Sequence, residues 1–340
     1  MVRQAIIDIV DGAVLDTERA ERVMGAVMDG EATDAQIAAL LTALRLRGET
    51  VAEVVGFARA MRGHAVPVRT VRSPVIDTCG TGGGGAATIN VSTGAALVAA
   101  GAGLAVAKHG NRAVTSRCGS ADVLAALGVQ VDLDAAQAGA CLDEAGISFL
   151  FAPKLHPAMR YAVGPRREIG VRTVFNILGP LTNPAGARRQ VIGAPSVALA
   201  DLMAEALAHL GAERVWVVHG LVGVDELAIS GPTYVCDVAD GNVTRREVRP
   251  ADAGLPEHDI DAVLGDSAEA NAADLLAILA GHSGAKRDFV LLNAAAALLV
   301  GGMAQDLADG ARQAAASVDS GAAMAALEVW RAASVAVAAR

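Results

Sequence analysis

Aromatic side chains are scarce: two Trp, two Tyr and five Phe among 340 residues, although 53% of the chain is apolar. The interior must therefore be built mainly from Ala, Val, Leu and Ile, which suits helices packed closely on a sheet. The four cysteines, Cys79, Cys118, Cys141 and Cys236, include no C-x-x-C pair. Their scatter argues against a zinc site or a disulfide framework and fits a reducing cytoplasm. No run of Lys or Arg with interleaved aromatics occurs, and the net charge is -9, so no nucleic-acid partner is expected. An acidic chain that takes an anionic ligand needs local cations or metal ions to overcome its own field. No signal peptide is expected, because Asp8 and Asp11 interrupt the apolar start. No membrane span is expected either. Ala86 to Ala107 has no charge, but it carries Thr88, Asn90, Ser92 and Thr93 and is broken by Gly101 and Gly103. It reads as a buried helix, turn and strand.

What is present divides in two, as a length of about two domains predicts. Residues 1–70 read as helical. Ala20, Val23, Met24, Val27 and Met28 recur at helical spacing and Gly30 supplies a stop. Thr33 with Gln36, and Thr50 with Glu53, have the spacing of capping boxes. Gly48 and Gly63 are expected to end the helices that follow. The segment from His64 to Pro74 reads as a linker. From residue 75 the pattern alternates: strands at 75–76, 104–107, 147–151, 190–192 and 214–218, helices at 92–100, 120–127 and 197–210. That alternation predicts an α/β domain with a mostly parallel central sheet. Two short antiparallel strands are expected near Tyr234 and at 242–248, then a helical tail from Asn271.

The chemistry concentrates between Asp77 and Ser120. Gly80, Gly82 and Gly85 satisfy G-x-G-x-x-G between a strand and a helix, which alone would suggest a dinucleotide site. That reading needs an acid about 20 residues on for the ribose diol, and the next strand ends in Lys108 instead. No Lys-Ser/Thr pair follows the last glycine, so the Walker pattern fails too. The loop reads as a phosphate cradle of another type, with amides at the helix start near 90–93 facing the anion; a flexible glycine turn is the plain alternative. Lys108, His109, Gly110, Asn111 and Arg112 read as a basic turn at a strand's C-terminal end, either ligand-binding or merely solvated. Asp225-Glu226 is a candidate for oxygen ligation of Mg²⁺, with a solvated surface pair as the alternative.

Six ordered motifs then make a specific pattern: Gly80-Thr-Gly-Gly83, Asn90-Val-Ser-Thr93, Lys108 to Arg112 with Gly119-Ser-Ala-Asp122, Arg166 to Thr173, Phe175 to Pro184, and His219-Gly220 with Asp225-Glu226. Together they resemble the anthranilate phosphoribosyltransferases over nearly the whole chain. The resemblance implies transfer of phosphoribose from phosphoribosyl pyrophosphate to the amine of anthranilate, releasing pyrophosphate, in tryptophan biosynthesis. It implies a nucleoside phosphorylase-like fold: a helical domain of residues 1–70, joined by helices from about 155–185, hinged to an α/β domain of residues 71–340. It further implies a cytoplasmic homodimer, paired through the N-terminal helices.

By the same resemblance the phosphoribosyl substrate would meet Gly80, Gly83, Gly84, Thr88, Asn90, Val91, Ser92, Thr93, Lys108, His109, Gly110, Asn111, Arg112, Ala113, Val114, Thr115, Ser116 and Ser120. Anthranilate would meet Gly80, Asn111 and Arg166, with His109 and His156 nearby; His156, just before Pro157, could equally cap a helix. Ser92, Asp225 and Glu226 would hold Mg²⁺, two ions per subunit. A planar guanidinium such as Arg166 suits a carboxylate. One residue departs from the pattern: the family normally has Asp where this chain has Gly84. A unit charge at about 4 Å is worth roughly 4 kcal/mol at an effective dielectric near 20, so the expectation is an active enzyme with altered Mg²⁺ dependence. Two rivals are a nucleoside phosphorylase, disfavoured by Arg166 and the 176–184 segment, and a relative that has lost catalysis.

Overall fold

The protein is described here from a computed structural model covering residues 1–82, 87–113 and 118–340. Its N-terminal part holds four helices: α1 (Val2–Val10), α2 (Thr17–Met28), α3 (Asp34–Arg47) and α4 (Val51–His64). Both expected capping boxes form, Thr33 with Gln36 and Thr50 with Glu53. Glu53 is buried yet fully engaged: it accepts from the Leu15 amide at 3.0 Å and the Thr50 amide at 3.0 Å, and pairs with Arg47. A buried carboxylate is tolerated only with such partners. Gly30 and Gly48 end their helices with φ of +77° and +90°, where a side chain would be strained. Gly63 does not end its helix. It lies inside α4, which runs to His64 before the chain becomes extended at Ala65. The helix α1 lies within the stretch read as helical, ahead of the three delimited by periodicity.

Among the described residues seven strands form one sheet: β1 (Val75–Gly80), β2 (Ala105–Gly110), β3 (Ile147–Phe151), β4 (Arg189–Gly193), β5 (Arg214–Gly220), β6 (Thr233–Ala239) and β7 (Asn242–Val248). Their order is β3-β2-β1-β4-β5-β6-β7. The first five are parallel and the last two antiparallel. The β6–β7 hairpin turns on Asp240-Gly241, both at positive φ, the chemistry a two-residue turn demands.

Alternate strand residues feed two apolar cores, as the period of two requires. Val106, Val191, Trp216 and Val235 face a core shared with α5 (Val91–Gly101) and the helices Ala285–Gly301 and Ala322–Ala338. Ile192, Val215, Val217 and Val238 face the other, shared with the helix Val197–His209 and continuous with the interior of α1–α4. Ala162, Val174, Phe175, Ile177, Leu178 and Leu181 pack into that second core. Among the described residues no single helix is long and apolar enough to cross a membrane.

Candidate active site

The strand order reverses between β1 and β4, and ligands of open α/β sheets bind beyond the carboxyl ends at such a switch point. Both strands end there in glycine, Gly80 opposite Gly193. The reason is Asp225. A Cβ on Gly193 would lie 1.6 Å from the Asp225 carbonyl oxygen, and one on Gly80 would lie 3.3 Å from its Oδ2. Two missing side chains thus let the loop after β5 drop between the strand ends. A small cavity of about 30 Å³ opens there, lined among others by Gly80, Ser92, Asp225 and Glu226. Asn293, on the helix Ala285–Gly301, fixes the backbone just beyond the acidic pair: its Oδ1 accepts from the Leu227 amide at 3.1 Å and its Nδ2 donates to the Leu227 carbonyl at 3.1 Å.

Burial, and next the Asp225 carboxylate, push the Glu226 carboxyl well above its ordinary range. The Thr88 hydroxyl donates to Glu226 at 3.4 Å. Two adjacent carboxylates and a serine hydroxyl around one cavity are a donor set for a hard divalent cation. Mg²⁺ commonly takes one or two carboxylates and fills its other positions with water and phosphate. Among the described residues no group of three or more His, Cys, Asp or Glu side chains is placed to hold a metal, so the candidate set here is two carboxylates and a hydroxyl.

The reading of Lys108 to Arg112 as a turn needs correction. Lys108, His109 and Gly110 belong to β2. The Lys108 side chain is completely buried, and its Nζ donates to the Thr78 carbonyl at 2.6 Å and the Ser92 Oγ at 3.1 Å. Burial pulls its pKa down. Asp77, on β1, is buried beside it. It accepts from the His109 amide at 3.1 Å and the Asn183 Nδ2 at 2.8 Å. Lys108 and Asp77 persist in the interior because each finds such partners. The loop proper begins at Asn111, which is exposed. Asp122 braces its described part, accepting from the Ala113 amide at 3.0 Å, the Gly119 amide at 2.9 Å and Arg112 at 3.1 Å.

Asn90, Val91, Ser92 and Thr93 form the start of α5, and the Asn90 side chain does not cap its own helix. It is held elsewhere, accepting from Asn271 at 2.9 Å and donating to the Cys118 carbonyl at 3.4 Å. Ser120 opens the next helix. Gly83, Gly84, Gly85, Val114, Thr115 and Ser116 lie outside the described residues.

Arg166 sits on the helix Arg160–Ile169, its guanidinium 5.1 Å from the Phe175 ring centroid. Burial lowers its pKa, without threatening the charge of a guanidinium. The His109 and His156 rings are 5.1 Å apart. Burial, then the neighbouring ring, lowers His109 to about 3; burial lowers His156 to about 4. Both are therefore uncharged at neutral pH. The Nε2 of each is buried without a hydrogen-bond partner. His156 makes no side-chain cap to the helical turn that follows it. Sequence reasoning missed Gly193, Asn271 and Asn293, and gave no role to Asn183 and Arg172, although both stand within quoted motifs. Only Gly193, a glycine closing a β-branched run, left a local signal.

The helical bundle, the switch-point cavity and the glycine-rich approach to it define a two-domain glycosyltransferase. Residues 3–65 match the glycosyl transferase family's helical bundle domain, and residues 72–324 its a/b domain. The anthranilate phosphoribosyltransferase of Desulforudis audaxviator is 56% identical over 323 residues, covering 95% of this chain and 93% of that protein. The crystal structure of the Thermus thermophilus enzyme of that name aligns with a TM-score of 0.92 at 45% identity, over 97% of this chain and 99% of the other. The Saccharomyces cerevisiae enzyme, solved with PRPP and Mg, aligns at 0.89 and 27% identity over 98% of each chain. This chain belongs to the anthranilate phosphoribosyltransferase family.

Proposed function

We propose that this chain transfers the phosphoribosyl group of phosphoribosyl pyrophosphate to the amine of anthranilate, in tryptophan biosynthesis. The observation that carries the reading is the gathering of Ser92, Asp225 and Glu226 on one cavity where β1 and β4 end, in a chain of this family. Ser92, Asp225 and Glu226 hold Mg²⁺, two ions per subunit. When bound, that metal neutralises the charge growing on the departing pyrophosphate.

The glycine loop with Gly80, Gly83, Gly84 and Thr88, the α5 start, the stretch from Lys108 through Asn111 to Ser116, and Ser120 receive the phosphoribosyl substrate. Lys108 acts there from within β2, through the Ser92 hydroxyl and the Thr78 carbonyl that it fixes. Gly80, Asn111 and Arg166 receive anthranilate, the Arg166 fork pairing with its carboxylate. The uncharged imidazoles of His109 and His156 each keep an unpartnered, buried Nε2 beside this pocket, able to accept an N–H without competing for the amine lone pair. An aniline is already unprotonated at neutral pH, so displacement at the anomeric carbon needs no strong base. It proceeds with inversion through a loose, oxocarbenium-like transition state.

Residues 1–70, joined by helices from about 155–185, form a helical domain hinged to the α/β domain of residues 71–340, and the substrates meet in the cleft. The enzyme acts as a cytoplasmic homodimer paired through its N-terminal helices, where Ile7, Val10, Val14 and Leu46 are exposed. The test is the loss of anthranilate fluorescence with phosphoribosyl pyrophosphate and Mg²⁺. Decay that depends on all three components supports the reading, and a steady signal at high protein concentration refutes it.

A further inference from the structure

We propose that Arg172 is a positioning residue that holds Thr81 and Gly82, at the start of the glycine loop, in the arrangement from which pyrophosphate is bound. The inference rests on the function proposed above and adds a residue to it. Between Gly80 and Thr88 the chain carries five glycines, and glycine loses more conformational freedom on ordering than any other residue. A loop of this composition needs outside support to present its amides in one arrangement.

The two ends are supported differently. At the far end the backbone is laced to a neighbouring segment: the Ile89 amide donates to the Val263 carbonyl at 3.0 Å, and the Gly265 amide donates to the Ala87 carbonyl at 2.8 Å. At the near end the Thr81 amide donates to the Gly193 carbonyl at 3.0 Å, and beyond it the support is a side chain. Arg172 Nη1 donates to the Gly82 carbonyl at 2.8 Å, and Nη2 to the Thr81 carbonyl at 3.3 Å.

One planar guanidinium thus spans two successive carbonyls, a fork that lysine cannot reproduce. A trans peptide points its carbonyl and following amide in opposite directions. Holding the Thr81 carbonyl against Arg172 therefore turns the Gly82 amide away from the guanidinium. Gly82 itself sits at φ +63°, a conformation that the clamp helps to select. Arg172 follows Gly170, which ends the Arg166 helix at φ +64°. Tyr161 on that helix packs tightly on Gly30 beside α2. The clamp therefore reaches the loop from the side of the helical bundle.

The test compares wild type, Arg172→Ala and Arg172→Lys by calorimetric titration with inorganic pyrophosphate and Mg²⁺, and by separate KM values for the two substrates. Losing two charge-assisted hydrogen bonds to the loop should weaken pyrophosphate binding about tenfold and raise the KM for phosphoribosyl pyrophosphate about as much, with the KM for anthranilate changed less than about twofold. The lysine variant should recover less than half of the loss, and the melting temperature should hold. Pyrophosphate binding unchanged in Arg172→Ala overturns the clamp. So does an equal rise in both KM values, a lysine variant equal to wild type, or a wild type that does not bind pyrophosphate. A wild type that binds pyrophosphate but never consumes anthranilate refutes the proposed function and leaves the clamp to be judged by the titration alone.

Discussion

Where β1 and β4 end, Asp77, Lys108, Ser92 and Glu226 are fixed by hydrogen bonds from neighbouring strands and loops. Around Arg166 the side-chain contacts are with rings, the guanidinium on Phe175 and the His109 and His156 imidazoles on each other, although His109 is also held by its amide's hydrogen bond to Asp77. The contrast follows from what each half must hold. A multiply charged leaving group calls for oriented dipoles and for carboxylates that would hold a cation against it, in positions that cost no reorganisation at the moment of reaction. A flat aromatic acid needs one planar cation and an uncharged wall. The predictions below act on one half while sparing the other.

The largest effect is expected at the acidic pair. Glu226→Gln removes a charge from the cavity and should lower kcat/KM by about 10²–10³-fold, with the Mg²⁺ requirement shifted upward and anthranilate affinity retained. Steady-state rates across a Mg²⁺ series check this. Next comes Gly193→Ala, whose Cβ would overlap the Asp225 carbonyl. Relieving the clash moves the loop that carries both acids and should cost about 1–3 kcal/mol of stability together with activity, read from denaturant midpoints and rates.

A smaller, reversible effect belongs to the histidines. Their folded pKa values of about 3 and about 4 lie below the unfolded value, so below pH 6.5 the unfolded chain binds protons that the folded chain refuses. Stability should therefore fall with pH. At pH 5 each ring accounts for about 2 kcal/mol of that loss. Urea midpoints at pH 7.5 and 5 measure it, and His156→Gln should remove about half. The smallest effect is expected from Gly84→Asp, which adds the carboxylate that the resemblance leads one to expect there. It should change the Mg²⁺ profile of the rate within an enzyme that is active either way, and an unchanged profile refutes the role given to Gly84.

Much of this was legible in the sequence because it is written in local rules. The capping pairs at Thr33 and Thr50, the stops at Gly30 and Gly48, and the alternation of strands and helices all depend on neighbours a few residues away. Lys108 to Gly110 was misread for the opposite reason. Its polar residues look like a turn, and only Asp77, Thr78 and Asn183, far away in sequence, make a buried strand of them. Asn293 carries no local mark, and Arg172 stands inside a motif that gives no hint of its role, since each acts on a backbone 66 to 91 residues distant. The motifs offered candidates for the groups that face the substrates. They did not say which residues, Asn293 outside them and Arg172 within one, hold the neighbouring backbone in place.

The division of the cleft is tested most directly by crossed KM values for Arg166→Ala and Asp225→Asn. Arg166→Ala should raise the KM for anthranilate about 10- to 100-fold and leave that for phosphoribosyl pyrophosphate within about threefold. Asp225→Asn should do the reverse. If either variant raises both constants together, the two halves do not divide the substrates and the account is wrong.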